Sequence, residues 1–161
     1  MSFFVNTMVC GFSLYQILAF FLIYSCLGWC LEVIYAAVST GQLVNRGFLN
    51  GPVCPIYGFG AVLVTALLTP FSASPPAVFV LAMAVCGTLE YLTSYAMEKL
   101  FHARWWDYSH RRFNLNGRVC AGTLIPFGLM GLGMVYVARP VLFGLYLRLP
   151  QAWMDGLCLG L

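Results

Sequence analysis

Residues 13–38 read SLYQILAFFLIYSCLGWCLEVIYAAV. Twenty-six residues pass with a single charge, Glu32, and no proline. A run of more than about 18 apolar residues is long enough to cross the hydrocarbon core of a bilayer as an α-helix. Its apolar residues are continuous rather than alternating, which rules against the strand of a membrane barrel. The rest of the chain has the same character. Of its 161 residues, 61% are hydrophobic and 8% are charged, against about 25% charged in an ordinary soluble domain. The mean hydropathy is +0.87. So few charges cannot clothe a water-facing surface. Inside lipid, backbone groups must pair within the segment, so the spans are helices.

Outward from the first run, three more spans are expected, at about residues 56–71, 77–100 and 119–138. Pro70 and the stretch Ser72 to Pro76 form a turn between the second and third, and Arg139-Pro140 ends the fourth. Residues 141–160 are apolar but hold Arg148, Pro150 and Asp155. They read as a fifth, tilted span, with an amphipathic helix on the membrane surface as the alternative. The expected fold is all-α: a polytopic integral membrane helical bundle of four to five spans, in one domain covering residues 1–161. Asn45 to Gly58 contains two prolines and three glycines, which do not make a regular helix. It reads either as a re-entrant loop packed against the bundle or as an interfacial loop.

Charge sets the orientation. Arg46, Lys99, Arg104, Arg111, Arg112 and Arg118 fall in the loops between spans 1 and 2 and between spans 3 and 4, which face one side. Only Arg139 falls on the other side. Cytoplasmic loops carry the excess of Lys and Arg, so loops 39–55 and 101–118 are expected in the cytoplasm and the N-terminus outside. No Lys or Arg precedes the first apolar run. It therefore lacks the basic start of a secretory signal and is expected to remain as a span. The basic segment is short and sits between spans, which argues against nucleic acid.

Two acids fall inside spans. Glu32 lies ~9 Å, and Glu90 ~14 Å, from the cytoplasmic helix ends at 1.5 Å per residue. Glu90, Ser94 and Glu98 recur every four residues and share a face. An ionised group near mid-membrane costs at least ~2.5–3.5 kcal/mol and marks function by default. Two readings stand side by side. The acids pair with Arg46 and Arg118 to lock helices, or they form a polar site for a substrate, ion or proton. The loop FHARWWDYSHRRFNLNGR (101–118) sets Trp106 and Tyr108 beside Asp107, Arg111, Arg112, Asn114 and Asn116. Interfacial anchoring and a ligand-facing wall are both open to it. His102 and His110 lack a third ligand at metal spacing, and no cofactor is expected. The seven cysteines include no C-x-x-C and read as packing residues. No P-loop, H-E-x-x-H or G-x-S-x-G occurs.

Several of these residues carry a resemblance. Leu27-Gly28-Trp29 with Glu32, Asn45-Arg46-Gly47-Phe48-Leu49, Gly51-Pro52 and Pro55-Ile56-Tyr57-Gly58 are similar to segments of the small bacterial membrane proteins classed as ABC-transporter permeases of the CmpB type. So are Glu90-Tyr91, Ser94-Tyr95, Glu98-Lys99-Leu100-Phe101, Trp105 to Ser109 and Phe113 to Arg118. The resemblance covers about residues 15–135 and leaves out the tail. It implies a transport protein of the bacterial inner membrane, in homo-oligomeric form, with a separate ATPase subunit if it is ABC-type. The motif acids coincide with the intramembrane acids. The substrate-binding residues expected are therefore Glu32, Glu90, Arg46, Trp29, Ser94, Glu98, Trp106, Asp107, Tyr108, Asn114 and Arg118, with no catalytic residue assigned. The competing reading is a membrane enzyme acting on a lipid or isoprenoid by acid catalysis. A third is a partner or sensor in which the polar cluster only holds the fold.

Overall fold

In this computed structural model, residues 8–9, 12–43, 51–146 and 148 are described. Helix α1, Leu14–Thr40, starts where Ser13 and Gln16 cap each other. The Ser13 hydroxyl accepts the Gln16 N–H at 3.3 Å, and the Gln16 side-chain oxygen accepts the Ser13 N–H at 2.9 Å. It stops at Gly41, whose φ of +70° is the left-handed conformation that glycine adopts without strain. Helix α2, Pro55–Leu68, continues in a 3-10 turn, Thr69–Phe71. Helix α3, Pro75–Phe101, opens on two prolines that preset its first turn and ends at His102 in the left-handed region. Helix α4, Ala121–Gly133, follows a short hairpin of β3, Asn114–Leu115, and β4, Val119–Cys120. A first strand pair, β1 (Met8–Val9) with β2 (Phe12–Ser13), precedes α1. The fold is all-α and polytopic. Among the described residues, three helical stretches are long and apolar enough to cross a membrane: Gln16–Thr40, Pro75–Phe101 and Ala121–Leu142.

One expectation is corrected. Arg139-Pro140 does not end the last helix. Met134–Ala138 forms a π turn, and α5, Arg139–Tyr146, carries on from it. The Arg139 N–H reaches back to the Met134 carbonyl, five residues away. Proline brings no N–H and crowds the carbonyl four residues before it. A wide turn immediately upstream loosens the backbone where Pro140 needs room. The second expected span, 56–71, corresponds to a shorter apolar helix, Pro55–Phe71. Its fourteen α-helical and three 3-10 residues cover about 27 Å, just under a core of about 30 Å. The fifth span expected at 141–160 lies largely outside the described residues.

The chain divides into two compact units between Val62 and Leu63, within α2. In the first, the start of α2 docks on the middle of α1. The Cys54 N–H donates to the Ser25 carbonyl at 2.9 Å, with both residues buried. Ser25 lies fifteen residues before Thr40, about 22 Å along the axis. Cys54 and the start of α2 therefore lie level with the middle of α1. Residues 44–50, including Arg46, lie outside the described residues. A Cβ on Gly28 would strike the Tyr57 ring, and one on Gly58 would strike Ser25 and Phe21. These two glycines let the backbones close up. The Phe21 and Phe59 rings meet edge to face at 4.9 Å.

In the second unit α3 and α4 run antiparallel. Gly87 faces Leu124, Phe79 faces Gly128 and Ala82 faces Gly131. Val64, Leu68, Val78, Ala82 and Val135 form the buried core. Tyr136 Oη donates to the Ser72 carbonyl at 2.8 Å and ties the far end of the pair. The exposed faces are apolar, with Leu92 on α3 and Leu129 and Val137 on the α4 stretch. Such surfaces suit an apolar environment rather than water.

A side chain at Gly131 has nowhere to go, whereas Gly133 faces open space. Gly131→Leu should destabilise the detergent-solubilised protein by about 1–3 kcal/mol, and Gly133→Leu should leave it near the parent. Thermal unfolding of the two variants side by side checks this. Equal midpoints would contradict the α3–α4 contact.

Candidate functional site

The polar site of the second unit is built on the face of α3 that carries Glu90, Ser94 and Glu98. Residues 102–120 leave α3, fold into turns and the β3–β4 hairpin, and return along that face. The hairpin register pairs Asn114 with Cys120 and Leu115 with Val119. Asn116 and Gly117 both have positive φ, 53° and 68°, the tight-turn geometry that an Asn-Gly pair favours. A Cβ on Gly117 would strike Ser109 and Asp107, so the position needs glycine for space as well as for φ. Asn114 stitches the loop internally. It donates to the Arg111 carbonyl at 2.7 Å and accepts the Gly117 N–H at 2.9 Å. The Tyr108 N–H donates to the Gly117 carbonyl at 2.8 Å. Asp107 accepts from the Ser109 hydroxyl at 2.6 Å and from its N–H at 2.9 Å. Those bonds, with the Arg104 and His110 charges, hold its carboxyl below the usual range. The contribution of this turn is therefore complete at neutral pH and fades only as pH falls through that lowered value.

Two contacts fasten the loop to α3. Arg118 is buried. Its guanidinium donates to Ser94 Oγ at 3.2 Å and pairs closely with Glu98. It also lies over the rings of Tyr91 and Tyr95, at 5.7 and 5.3 Å. Glu98 is shared, since Arg104 reaches its other oxygen at 3.0 Å. The Trp106 indole N–H donates to the Arg118 carbonyl at 3.0 Å, which fixes the backbone from which that guanidinium projects. The second contact is Tyr108, whose hydroxyl donates to Glu90 Oε1 at 3.3 Å.

The helix-locking expectation for Arg118 is corrected in its partner. Arg118 pairs with Glu98, one turn nearer the helix end than Ser94, and leaves Glu90 without an ion pair among the described residues. Glu90 is buried, and its other oxygen lies 3.2 Å from Thr123 Oγ1. Thr123 also accepts the Cys120 N–H at 3.3 Å and lies 2.9 Å from the Cys120 carbonyl. A hydroxyl has one proton. Thr123 donates it either to Glu90 or to Cys120, and in the second case the contact holds only if Glu90 is the donor. Glu90 thus keeps its partners whether it carries a charge or a proton.

In the first unit, Tyr57 Oη donates to Glu32 Oε1 at 2.7 Å. Gly28, one turn before Glu32, gives the Tyr57 ring its space. Trp29 lies next to Gly28 and is half-buried. Glu90, Ser94, Glu98, Trp106, Asp107, Tyr108, Asn114 and Arg118 come together in the second unit. Glu32 and Trp29 belong to the first, and Arg46 lies outside the described residues. Tyr57, Thr123, Tyr91, Tyr95 and Arg104 were not among the expected site residues. Tyr57, Tyr91 and Tyr95 stood in the quoted motifs without an assigned role. Thr123 carried no signal, because a threonine near a helix start is usually a local cap.

The family described as "Putative ABC-transporter type IV", of the CmpB type, matches residues 19–161. The chain belongs to this family. The match runs through the C-terminal tail, which the motif resemblance over 15–135 left out. No curated protein and no solved structure matches the chain.

Charge-assisted hydrogen bonds contribute about 1.5–3 kcal/mol each, and Arg118 makes its bonds from a buried position. Arg118→Gln should release residues 102–120, seen as faster protease cleavage within the loop, while Arg112→Gln should not. Equal cleavage of both variants would remove Arg118 as the fastening.

Proposed function

We propose, with family membership as the premise, that this chain is a permease-like subunit of a membrane transporter and that its buried glutamates form the polar site for what it moves. The observation that carries this is Glu90, a buried carboxyl held by two hydroxyls and by no cation among the described residues. A carboxyl kept only to lock helices would be expected on Arg118, whose guanidinium is instead spent on Ser94 and Glu98, four and eight residues beyond Glu90 on the same face. A site that loads and releases a cation, a proton or a polar solute needs an acid whose partners accept either state, and Tyr108 and Thr123 supply this. Tyr108 belongs to the loop, so movement of that loop uncovers Glu90 from the side where α3 ends. Glu32 with Tyr57 is the corresponding group of the first unit.

The six-to-one distribution of basic residues supports a cytoplasmic position for loops 39–55 and 101–118, with the N-terminus outside. The chain carries no P-loop, so ATP hydrolysis would fall to a separate ATPase subunit docking from the cytoplasm. A second copy of the chain is the expected partner within the membrane.

Affinity isolation of the full chain from mildly solubilised membranes, with mass spectrometry of retained proteins and small molecules, tests this reading. An ATPase subunit should be retained by the parent and by Glu90→Gln alike. A small molecule or lipid held by the parent should fall about tenfold or more in Glu90→Gln, the loss expected for a charged hydrogen-bond partner. An unchanged small-molecule profile would reject the site, and no ATPase with either form would reject ABC coupling.

A further inference from the structure

The charge of this chain is concentrated in one place. Lys99, Arg104, Arg111, Arg112 and Arg118, set against Glu98 and Asp107, give residues 98–118 a net charge of +3, which is the net charge of the whole protein. Elsewhere Arg46, Arg139 and Arg148 balance Glu32, Glu90 and Asp155. Within the segment the charges are divided by role. Arg104 and Arg118 are spent on Glu98, and Arg104 also lies 3.8 Å from Asp107. Arg111 and Arg112 are exposed, and neither guanidinium has a hydrogen-bond or ion-pair partner among the described residues. The next residue is Phe113, which is 85% exposed and holds a φ of 53°. A bulky residue in the left-handed region is a strained choice, and here the strain presents an aromatic ring outward. Leu115, two residues on, is also exposed.

We infer that the tip Arg111–Leu115 lies in the headgroup layer of the bilayer and binds anionic phospholipid, with Phe113 and Leu115 inserted among the acyl ends and Arg111 and Arg112 on the phosphates. The fold places the tip at that level. It is tied through Arg118 to Glu98, three residues before the end of α3, and lies within twenty residues of two membrane-crossing helices, α3 ending at Phe101 and α4 starting at Ala121. Aromatic and apolar side chains beside unpaired arginines fit an interface that is apolar below and anionic above. A docked protein partner would satisfy the two arginines but would also have to cover the exposed ring. The bilayer does both and is present around every copy. This inference does not use the transport reading and stands or falls independently of it.

Native mass spectrometry of the full chain, loaded with phosphatidylglycerol or phosphatidylcholine in equal amounts, provides the test. The parent should retain phosphatidylglycerol preferentially. Each of Arg111→Gln and Arg112→Gln should weaken that retention about fivefold, and the pair about 25-fold, while Arg148→Gln should not. Raising the salt should erase the preference in the parent, a readout that requires no variant to fold. Equal retention of the two lipids by the parent would overturn the inference. So would arginine variants that keep phosphatidylglycerol but lose a protein partner.

Discussion

An acid inside an apolar helix must find polar partners or carry a large cost, and α3 carries two such acids along one face. Its own turns offer only Ser94. The partners come from the chain that follows: Arg118 and Arg104 for Glu98, Tyr108 for Glu90, and Thr123 from the first turn of α4. The loop of residues 102–120 is folded because it must reach these groups. The left-handed residues at 102, 113, 116 and 117 are the bends that allow it. The antiparallel contact of α3 with α4, closed over Gly128 and Gly131, then sets Thr123 opposite Glu90.

The same constraint explains how the two acids on α3 differ. Glu98 is shared between two arginines at the helix end, where water and guanidinium groups are at hand. Glu90, two turns deeper, receives only hydroxyls. An arginine cannot change its protonation in a protein, whereas a hydroxyl can turn from donor to acceptor. In the proposed transport reading the deeper acid is the one that exchanges what it holds, and the shallower one fixes the loop beside it. Exchange there would require the loop, held by Glu98 and Arg118, to move.

Much of this was legible in the sequence. The membrane class followed from sixty-one per cent apolar residues and the near-absence of charge in 13–38, and the shared face of Glu90, Ser94 and Glu98 followed from helical spacing. The motif residues that carried the family resemblance included both intramembrane acids. The choice of partners was not legible. Spacing gives the face of a helix but not the path of an eighteen-residue loop, so Arg118 could be assigned to either acid until the hairpin register was known. Pro140 read as a stop because a π turn before it leaves no mark in composition. The depth at which α2 begins depends on one bond from Cys54 to the Ser25 carbonyl, and a buried cysteine looks the same in sequence wherever it sits.

Hydrogen–deuterium exchange of the full chain in lipid nanodiscs tests the central claim most directly: that residues 102–120 form a fastened cover on the acidic face of α3. The amides of Tyr108, Gly117 and Arg118 donate within the loop, to the Gly117 carbonyl, the Asn114 side chain and the Leu115 carbonyl. They should exchange slowly, on the timescale of the ends of α3 and α4. Exchange of these three amides at the rate of an unstructured loop would contradict the account.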